Sequence, residues 1–368
     1  MTNSLQNSFA GYSKVFAYYP RGERTGGPEA LHQLISGLRK LGQEAYLVPL
    51  PGTEDKPRVA EYELYDAPES SRIDDLPRAA VVVPEVAYTM LSGVHNARKF
   101  CWWLSIDNSP IFRRERLRLE MKEYGLGTRL QLIENDLRKH ASSIQRTLSG
   151  KRRLLRDVEH LVQSQYAWSY LYSRMDIVAS MVSDFTPLNI ICDNPALTSA
   201  RGLTVVFNPK KSAELTRRVA VAYPRASFRP LVNMSRCEVM NALESSAVYL
   251  DLGSHPGKDR MPREAALVGC VSIVARRGSA AFSADVPLPW QNKVNLQTGD
   301  AVSNAISVLD KVFAFPDEFQ RGQRGYVAAI KSEEQTFLDE LAAVFLEDRL
   351  GSDTRCGMLR EAAPPNGE

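Results

Sequence analysis

The chain alternates short apolar runs with polar turns and amphipathic stretches. Residues 15–19, 45–50, 80–84, 99–105, 160–163 and 177–182 are apolar runs of strand length. After the first run, Leu31, Leu34, Ile35, Leu38 and Leu41 recur at helical spacing, Pro28 suits a first helical position and Gly42 a stop. Residues 85–94 and 167–173 read as two further helices. The alternation restarts in the second half, with strands expected at 203–207, 228–231, 248–250 and 271–275. A helix follows Lys210 and Lys211 with Leu215 and Val219 inward, and Ser235 with Glu238 makes a capping box for the next. Helices are expected at 301–314 and 332–347, the last with Ser332 and Gln335 as a second capping box and Phe337, Leu341, Val344 and Phe345 inward. Two successive sets of alternating strands and helices predict an α/β chain of two Rossmann-like domains facing each other across a cleft.

The boundaries that follow are an N-terminal domain over 1–185 with a helical insertion at 111–156, a linker at 186–202, a second domain at 203–330, and a helix at 331–350 that crosses back to the first domain. The loose ends are the polar first residues and the tail beyond Leu350.

The stretch 248–281 organises the second half. A buried strand leads into the loop Gly253-Ser254-His255-Pro256-Gly257-Lys258, then a helix over 259–268 that stops at Gly269, then a strand and the turn Arg277-Gly278-Ser279. Such a loop lies at the carboxyl end of its strand, where open parallel sheets bind ligands. Its glycines allow close backbone approach, a helix start favours an anion, and Lys258 and Arg260 suit phosphate oxygens. Glu264 is expected in the first helical turn, able to accept sugar hydroxyls.

Composition narrows the class. The 368 residues are 44% hydrophobic and 24% charged, with a net charge of +3, so a soluble core is available and nucleic acid is not implied. Five dispersed cysteines without a C-x-x-C pair argue against a disulfide framework or a zinc site and fit a reducing cytoplasm. No signal peptide and no membrane-spanning run is visible. The basic stretch 113–156 carries Leu130, Ile133, Leu137, Ala141, Ile144 and Leu148 on one stripe. It reads either as a solvated helical hairpin or as a basic surface for a phosphate-bearing acceptor or for anionic headgroups at the inner face of the cell membrane.

The segment GGPEALHQLISGLRKLG resembles the first loop and helix of GT-B glycosyltransferases, particularly retaining ones with a GG-x-E start (family 4-like, group 1). NPKK, FRPL, MSRCEV and YLDLGSHPGKDRMPREAALVGCVSI resemble the nucleotide-sugar half of that superfamily. The resemblance implies a nucleoside diphosphate sugar as donor substrate, no separate cofactor and no essential metal, with a saccharide or lipid-linked hydroxyl of a cell-surface precursor as acceptor. It assigns Lys210 or Lys211 to the diphosphate and Glu264 to the ribose, and turns His255, Gly257 and Lys258 toward the donor sugar. The full donor set expected is Gly26, Gly27, Lys210, Lys211, Leu231, Gly257, Arg260, Glu264, Gly278 and Ser279, with Asp107, His255 and Lys258 as catalytic candidates. The chain departs from the family's E-x7-E pair, because Pro256 stands eight residues before Glu264 and His255-Pro256-Gly257-Lys258 replaces E-G-F-G.

Each candidate has a plainer alternative. Gly26 and Gly27 suit an ordinary turn, Asp107 with Asn108 a cap, His255 a loop-structuring role, and Trp102 or Trp103 the core rather than a sugar platform. Metal motifs such as H-E-x-x-H, a D-x-D loop and a G-x-S-x-G elbow are absent from the sequence. The rival functions are a nucleotide-sugar epimerase on the same fold and a non-catalytic scaffold that binds lipid or a partner.

Overall fold

The computed structural model describes residues 11–109, 112, 154–190 and 201–346. Residues 113–153, which hold nearly all of the basic stretch, lie outside the described residues, as do 191–200 of the expected linker.

The apolar runs of the first half form one parallel sheet in the order β2-β1-β3-β4-β5-β6. Its strands are β1 (Lys14–Tyr19), β2 (Ala45–Pro49), β3 (Ala79–Pro84), β4 (Arg98–Trp103), β5 (Glu159–Val162) and β6 (Ser180–Met181). β3 is buried on both faces, which explains its unbroken Ala-Ala-Val-Val-Val run. Helix α1 (Gly26–Lys40) covers one face with Leu31, Leu34, Ile35 and Leu38, all buried. Helix α2 (Gln165–Met175) covers the other and is capped by Ser164, whose Oγ accepts from Ala167 N at 3.2 Å. Two expectations change here. Residues 85–93 form a 3₁₀ segment kinked at Ala87 instead of a helix. Of 177–182, only Ser180 and Met181 pair as strand.

The second sheet, also parallel, has the order β11-β10-β9-β7-β8. It comprises β7 (Thr204–Phe207), β8 (Ser227–Pro230), β9 (Val248–Asp251), β10 (Val271–Ala275) and β11 (Lys293–Val294). Around it lie α3 (Ala213–Ala222), α4 (Arg236–Glu244), α5 (Arg260–Leu267), α6 (Ala301–Ala314) and α7 (Pro316–Gly322). The Ser235–Glu238 capping box is present with both of its hydrogen bonds.

Helix α8 (Arg324–Phe345) joins the halves. Tyr326 and Ile330 pack with Val274 in the second half, whereas Phe337, Leu341, Val344 and Phe345 enter the core of the first. Gly37 of α1 makes room for it: a Cβ there would come within 2.7 Å of Leu341 Cδ1. The helix therefore starts eight residues before the expected Ser332 cap. Ser332 and Gln335 lie inside it, their side chains bonded to Ala329 O and Asp339 instead of to a helix end. Among the described residues, no helix is long and apolar enough to cross a membrane.

Candidate functional site

The carboxyl ends of β4, β5 and β9 meet at a seam between the two sheets. Ile106 N donates to Pro256 O at 3.1 Å, and Lys258 N donates to Gln163 Oε1 at 3.2 Å. Gly257 is needed for this approach, since a Cβ would run into the Leu104 carbonyl and the Gln163 amide oxygen. On the first-half side, Glu85 holds the seam by accepting from Leu104 N at 3.0 Å and Ser105 N at 3.1 Å. Complete burial pushes its pKa up to about 7, against the lowering effect of those two bonds. On the opposite side Asp285 accepts from Gln165 N and Tyr166 N at the start of α2, a carboxylate on a helix N-terminus.

Three glycine and serine positions expected at a ligand are used internally instead. Gly257 faces Leu104 rather than a ligand. Gly278 has φ +57°, and a Cβ there would strike the His255 carbonyl. Ser279 is fully buried, its N–H donating to His255 O at 2.8 Å and its hydroxyl to Gly257 O. Together they brace the 253–258 loop from behind.

His255 also differs from expectation. It is fully buried and does not face a sugar-sized space: Nδ1 lies 2.7 Å from Asp259 Oδ2, and Nε2 lies 3.8 Å from Asp251 Oδ1. Lys211 shares this group, with Nζ in contact with Asp259 and 3.5 Å from Asp251 Oδ2. Burial works to raise the Asp259 pKa, but His255 and Lys211 outweigh it and bring it down to about 2. Burial likewise works against the Lys211 charge, and Asp259 and Asp251 reverse this and raise its pKa. By donor type, Asp251, His255 and Asp259 could hold a divalent cation, their ligand atoms lying within 4.8 Å of one another. The geometry fits poorly, because each ring nitrogen faces a different carboxylate and the Lys211 ammonium already lies between the acids.

A second ion network runs along the seam from α1 to α8. Glu29, in the first turn of α1, meets Arg260 Nη1 and lies 3.7 Å from Arg236 Nη1. Arg236 also reaches Glu264 at 3.3 Å, and Arg260 Nε lies 3.8 Å from Asp184. Arg263 bonds Asp184 at 2.8 Å and Glu333 at 2.9 Å, and Lys258 lies 3.5 Å from Glu333. Glu264 belongs to the second turn of α5, not the first, because the helix begins at Arg260 with Asp259 as its cap residue. Asp184, expected just before the linker, and Thr186, expected as its first residue, are both buried in this seam.

The other expected residues spread around these two groups. Lys210 is exposed on the β7–α3 turn, its N–H donating to Asn208 Oδ1 at 3.0 Å. Leu231 packs against the small core beside β7. Gly26 borders open space, with nothing within 4 Å of an added Cβ, and Gly27 has only Leu104 Cδ1 at 3.8 Å. Asp107 lies across the seam from the loop, accepting from Tyr166 Oη at 2.7 Å and Ser254 Oγ at 3.1 Å. Trp102 and Trp103 are both fully buried core residues, so neither offers a face to a sugar. Glu29, Asp184, Arg236, Arg263 and Glu333 were not expected. The one local hint was the acid following Gly26-Gly27-Pro28.

Two surface cavities lie away from the seam. One of about 890 Å³ is bordered by Leu155, His160, Tyr172 and Ile177, and one of about 390 Å³ by Ala266, Gly269, Arg324 and Val327.

Solved structures match this arrangement over nearly its whole length. A glycosyltransferase from Rickettsia africae ESF-5 superposes with a TM-score of 0.50 at 11% identity, covering 95% of this chain and 98% of its own. Sucrose-phosphate synthase from Thermosynechococcus elongatus gives 0.52 at 12% identity, with 95% and 98% covered. WaaG, a glycosyltransferase involved in lipopolysaccharide biosynthesis, gives 0.51 at 9% identity, with 89% and 99% covered. The chain has the GT-B fold. No protein-family model matches it, and no curated protein matches it in sequence. In GT-B terms, the first sheet with α1 is the N-terminal half, and the stretch from β7 to α7 is the C-terminal half. The crossing helix α8 returns to the first half, where its last turns pack on α1.

Proposed function

We propose that this GT-B protein is a glycosyltransferase using a nucleoside diphosphate sugar. The observation that carries the reading is the convergence of Lys211, Lys258, Arg236, Arg260 and Glu264 on one seam where strands of both sheets end. In the reaction, the bond between the anomeric carbon and the diphosphate oxygen breaks while an acceptor hydroxyl oxygen bonds to that carbon. Charge builds on the leaving diphosphate, which Lys211 and Lys258 would neutralise, with Arg260 next. Lys211 supplies a fixed positive charge between two carboxylates, which supports chemistry without an essential metal. Glu264 is assigned to the donor ribose, reached once Arg236 turns away. Asp107, open to both halves, is assigned to the acceptor hydroxyl, to orient it or take its proton. Burial of His255 moves its role from sugar contact to positioning Asp259.

The acceptor proposed is a polysaccharide or glycolipid precursor. The role of WaaG in lipopolysaccharide biosynthesis supports that choice, as does the basic composition of 113–156, proposed to meet anionic lipid from the cytoplasmic side. Vesicles containing phosphatidylglycerol should retain the protein at low salt and release it at high salt.

A second reading has its own support. The seam cations are already paired with the protein's own carboxylates, and the loop His255-Pro256-Gly257-Lys258 lacks the first glutamate of the resembling family's pair, as in a scaffold that kept the fold without the reaction. Thermal-shift measurements with uridine and guanosine diphosphates separate the two. A transferase is stabilised by one of them, and a scaffold by neither.

A further inference from the structure

We propose that the cavity framed by the end of α5, the last turn of α7 and the first turn of α8 binds an acidic saccharide chain, at a site separate from the seam. The class of ligand rests on the transferase reading, because a saccharide is what such a protein extends. The site itself rests on the shape and chemistry of this face. The cavity holds about 390 Å³, within the range of small-ligand sites. Its floor is fixed: Ala266 and Gln323 are buried, and the Gln323 amide accepts from Ser272 N at 3.2 Å and donates to Cys270 O at 2.9 Å. Leu267 and Val327 add apolar surface.

Three charged groups are left for a ligand. Asp317, Arg321 and Arg324 border the cavity and are exposed, and among the described residues their side chains make no hydrogen bond or ion pair. Two guanidinium groups against one carboxylate leave a positive balance, and a planar guanidinium pairs bidentately with a carboxylate. A sugar acid supplies that carboxylate, and its hydroxyls can donate to Asp317.

An aromatic side chain stands beside them. Trp290 is 73% exposed, the most of any large hydrophobic residue among those described, and the other three tryptophans are buried or half-buried. Its neighbours hold it next to the cavity. Pro289 Cγ lies 3.5 Å and Gln291 Nε2 3.9 Å from where a Cβ on Gly322 would sit, and Gly322 stands between Arg321 and Gln323, both of which border the cavity. An indole offers a flat apolar face with a polar N–H, a combination suited to the C–H face and hydroxyls of a sugar ring. The cavity touches α5 at Ala266 and Leu267, whereas Arg260 at the other end of that helix faces the seam. Eight residues of helix separate the two by roughly 12 Å. A chain anchored here stays on the protein between transfers at the seam.

Calorimetric titration of the full chain tests this with trigalacturonic acid, maltotriose and triglutamate, on the wild type, Trp290→Ala, Trp290→Tyr, Arg321→Gln and Arg324→Gln. Trigalacturonate is expected to bind the wild type and change its tryptophan emission, through Trp290. Its binding should weaken by about tenfold in Trp290→Ala and in each arginine variant, and recover most of that loss in Trp290→Tyr, which keeps a ring. Maltotriose and triglutamate should each bind the wild type at least about tenfold more weakly. Maltotriose binding as tightly overturns the acidic class, and triglutamate binding as tightly overturns the saccharide. Trigalacturonate that binds every protein alike, or that does not bind the wild type, overturns the site. Thermal shifts with uridine and guanosine diphosphates read the transferase reading separately. A nucleotide shift without trigalacturonate binding removes this site alone. Trigalacturonate that follows the variants, with no shift from either nucleotide, supports the site and removes the transferase reading.

Discussion

Arg263 and Asp184 form a buried ion pair, 2.8 Å between Nη2 and Oδ2, at the junction of the two halves. The other arm of the guanidinium reaches Glu333 of α8 at 2.9 Å, and both partners are nearly as buried as the arginine. One side chain thus ties α5, the segment leaving β6 and the crossing helix. Replacing it with methionine leaves two carboxylates buried beside an uncharged chain, which should cost about 3–5 kcal/mol. Urea unfolding of Arg263→Met measures this, and a loss of less than about 1 kcal/mol would show that the seam does not depend on the pair.

Gly257 and Gly26 should respond oppositely to the same change. Gly257→Ala puts a methyl group into the Leu104 carbonyl, so the loop must retreat from the N-terminal half, at a cost of about 1–3 kcal/mol. Gly26→Ala meets nothing within 4 Å and should leave stability nearly unchanged. Thermal melts of the two variants, with limited proteolysis of the seam, check the contrast.

Glu85 makes stability depend on pH. Its folded pKa of about 7 lies above the ordinary value of 4.5, so between these values the native state holds a proton that the unfolded chain releases. Stability from this residue therefore falls as pH rises through that window, by roughly 3 kcal/mol at most. His32 acts in the other sense, since burial lowers its pKa from 6.5 to about 4 and its contribution grows as pH rises between them. The difference between wild type and Glu85→Gln isolates the carboxylate. Because His32 is present in both proteins, the unfolding free energy of the wild type should fall relative to that of Glu85→Gln between pH 5 and pH 8, and parallel profiles would contradict the assignment.

The strands, α1, the Ser235 cap and the doubling of the α/β pattern were legible because they are written in local periodicity and turn chemistry. The helix break at Gly269 was legible for the same reason, as φ there is +75°. The seam was only half legible. Lys211, Lys258 and Arg260 could be picked out as charges at strand ends, but their partners lie far along the chain. Arg263 meets Asp184 across 79 positions and Glu333 across 70, and nothing in a window of sequence marks such a pair. The glycines of the 253–281 stretch were legible as glycines but not in purpose. Gly257 and Gly278 admit neighbouring backbone, a requirement that looks identical in sequence to admitting a ligand. Ser332 and Gln335 misled because a capping-box spacing also occurs inside a helix whose true start is set by packing of Tyr326 and Ile330.

The most direct measurement is release of nucleoside diphosphate from UDP- and GDP-sugars by the wild type, Lys211→Ala and Glu264→Ala. The account predicts slow release from one donor class by the wild type, reduced at least about tenfold in each variant, since one removes charge stabilisation and the other donor binding. Release that is unchanged in both variants, or absent from the wild type with every donor, would contradict it.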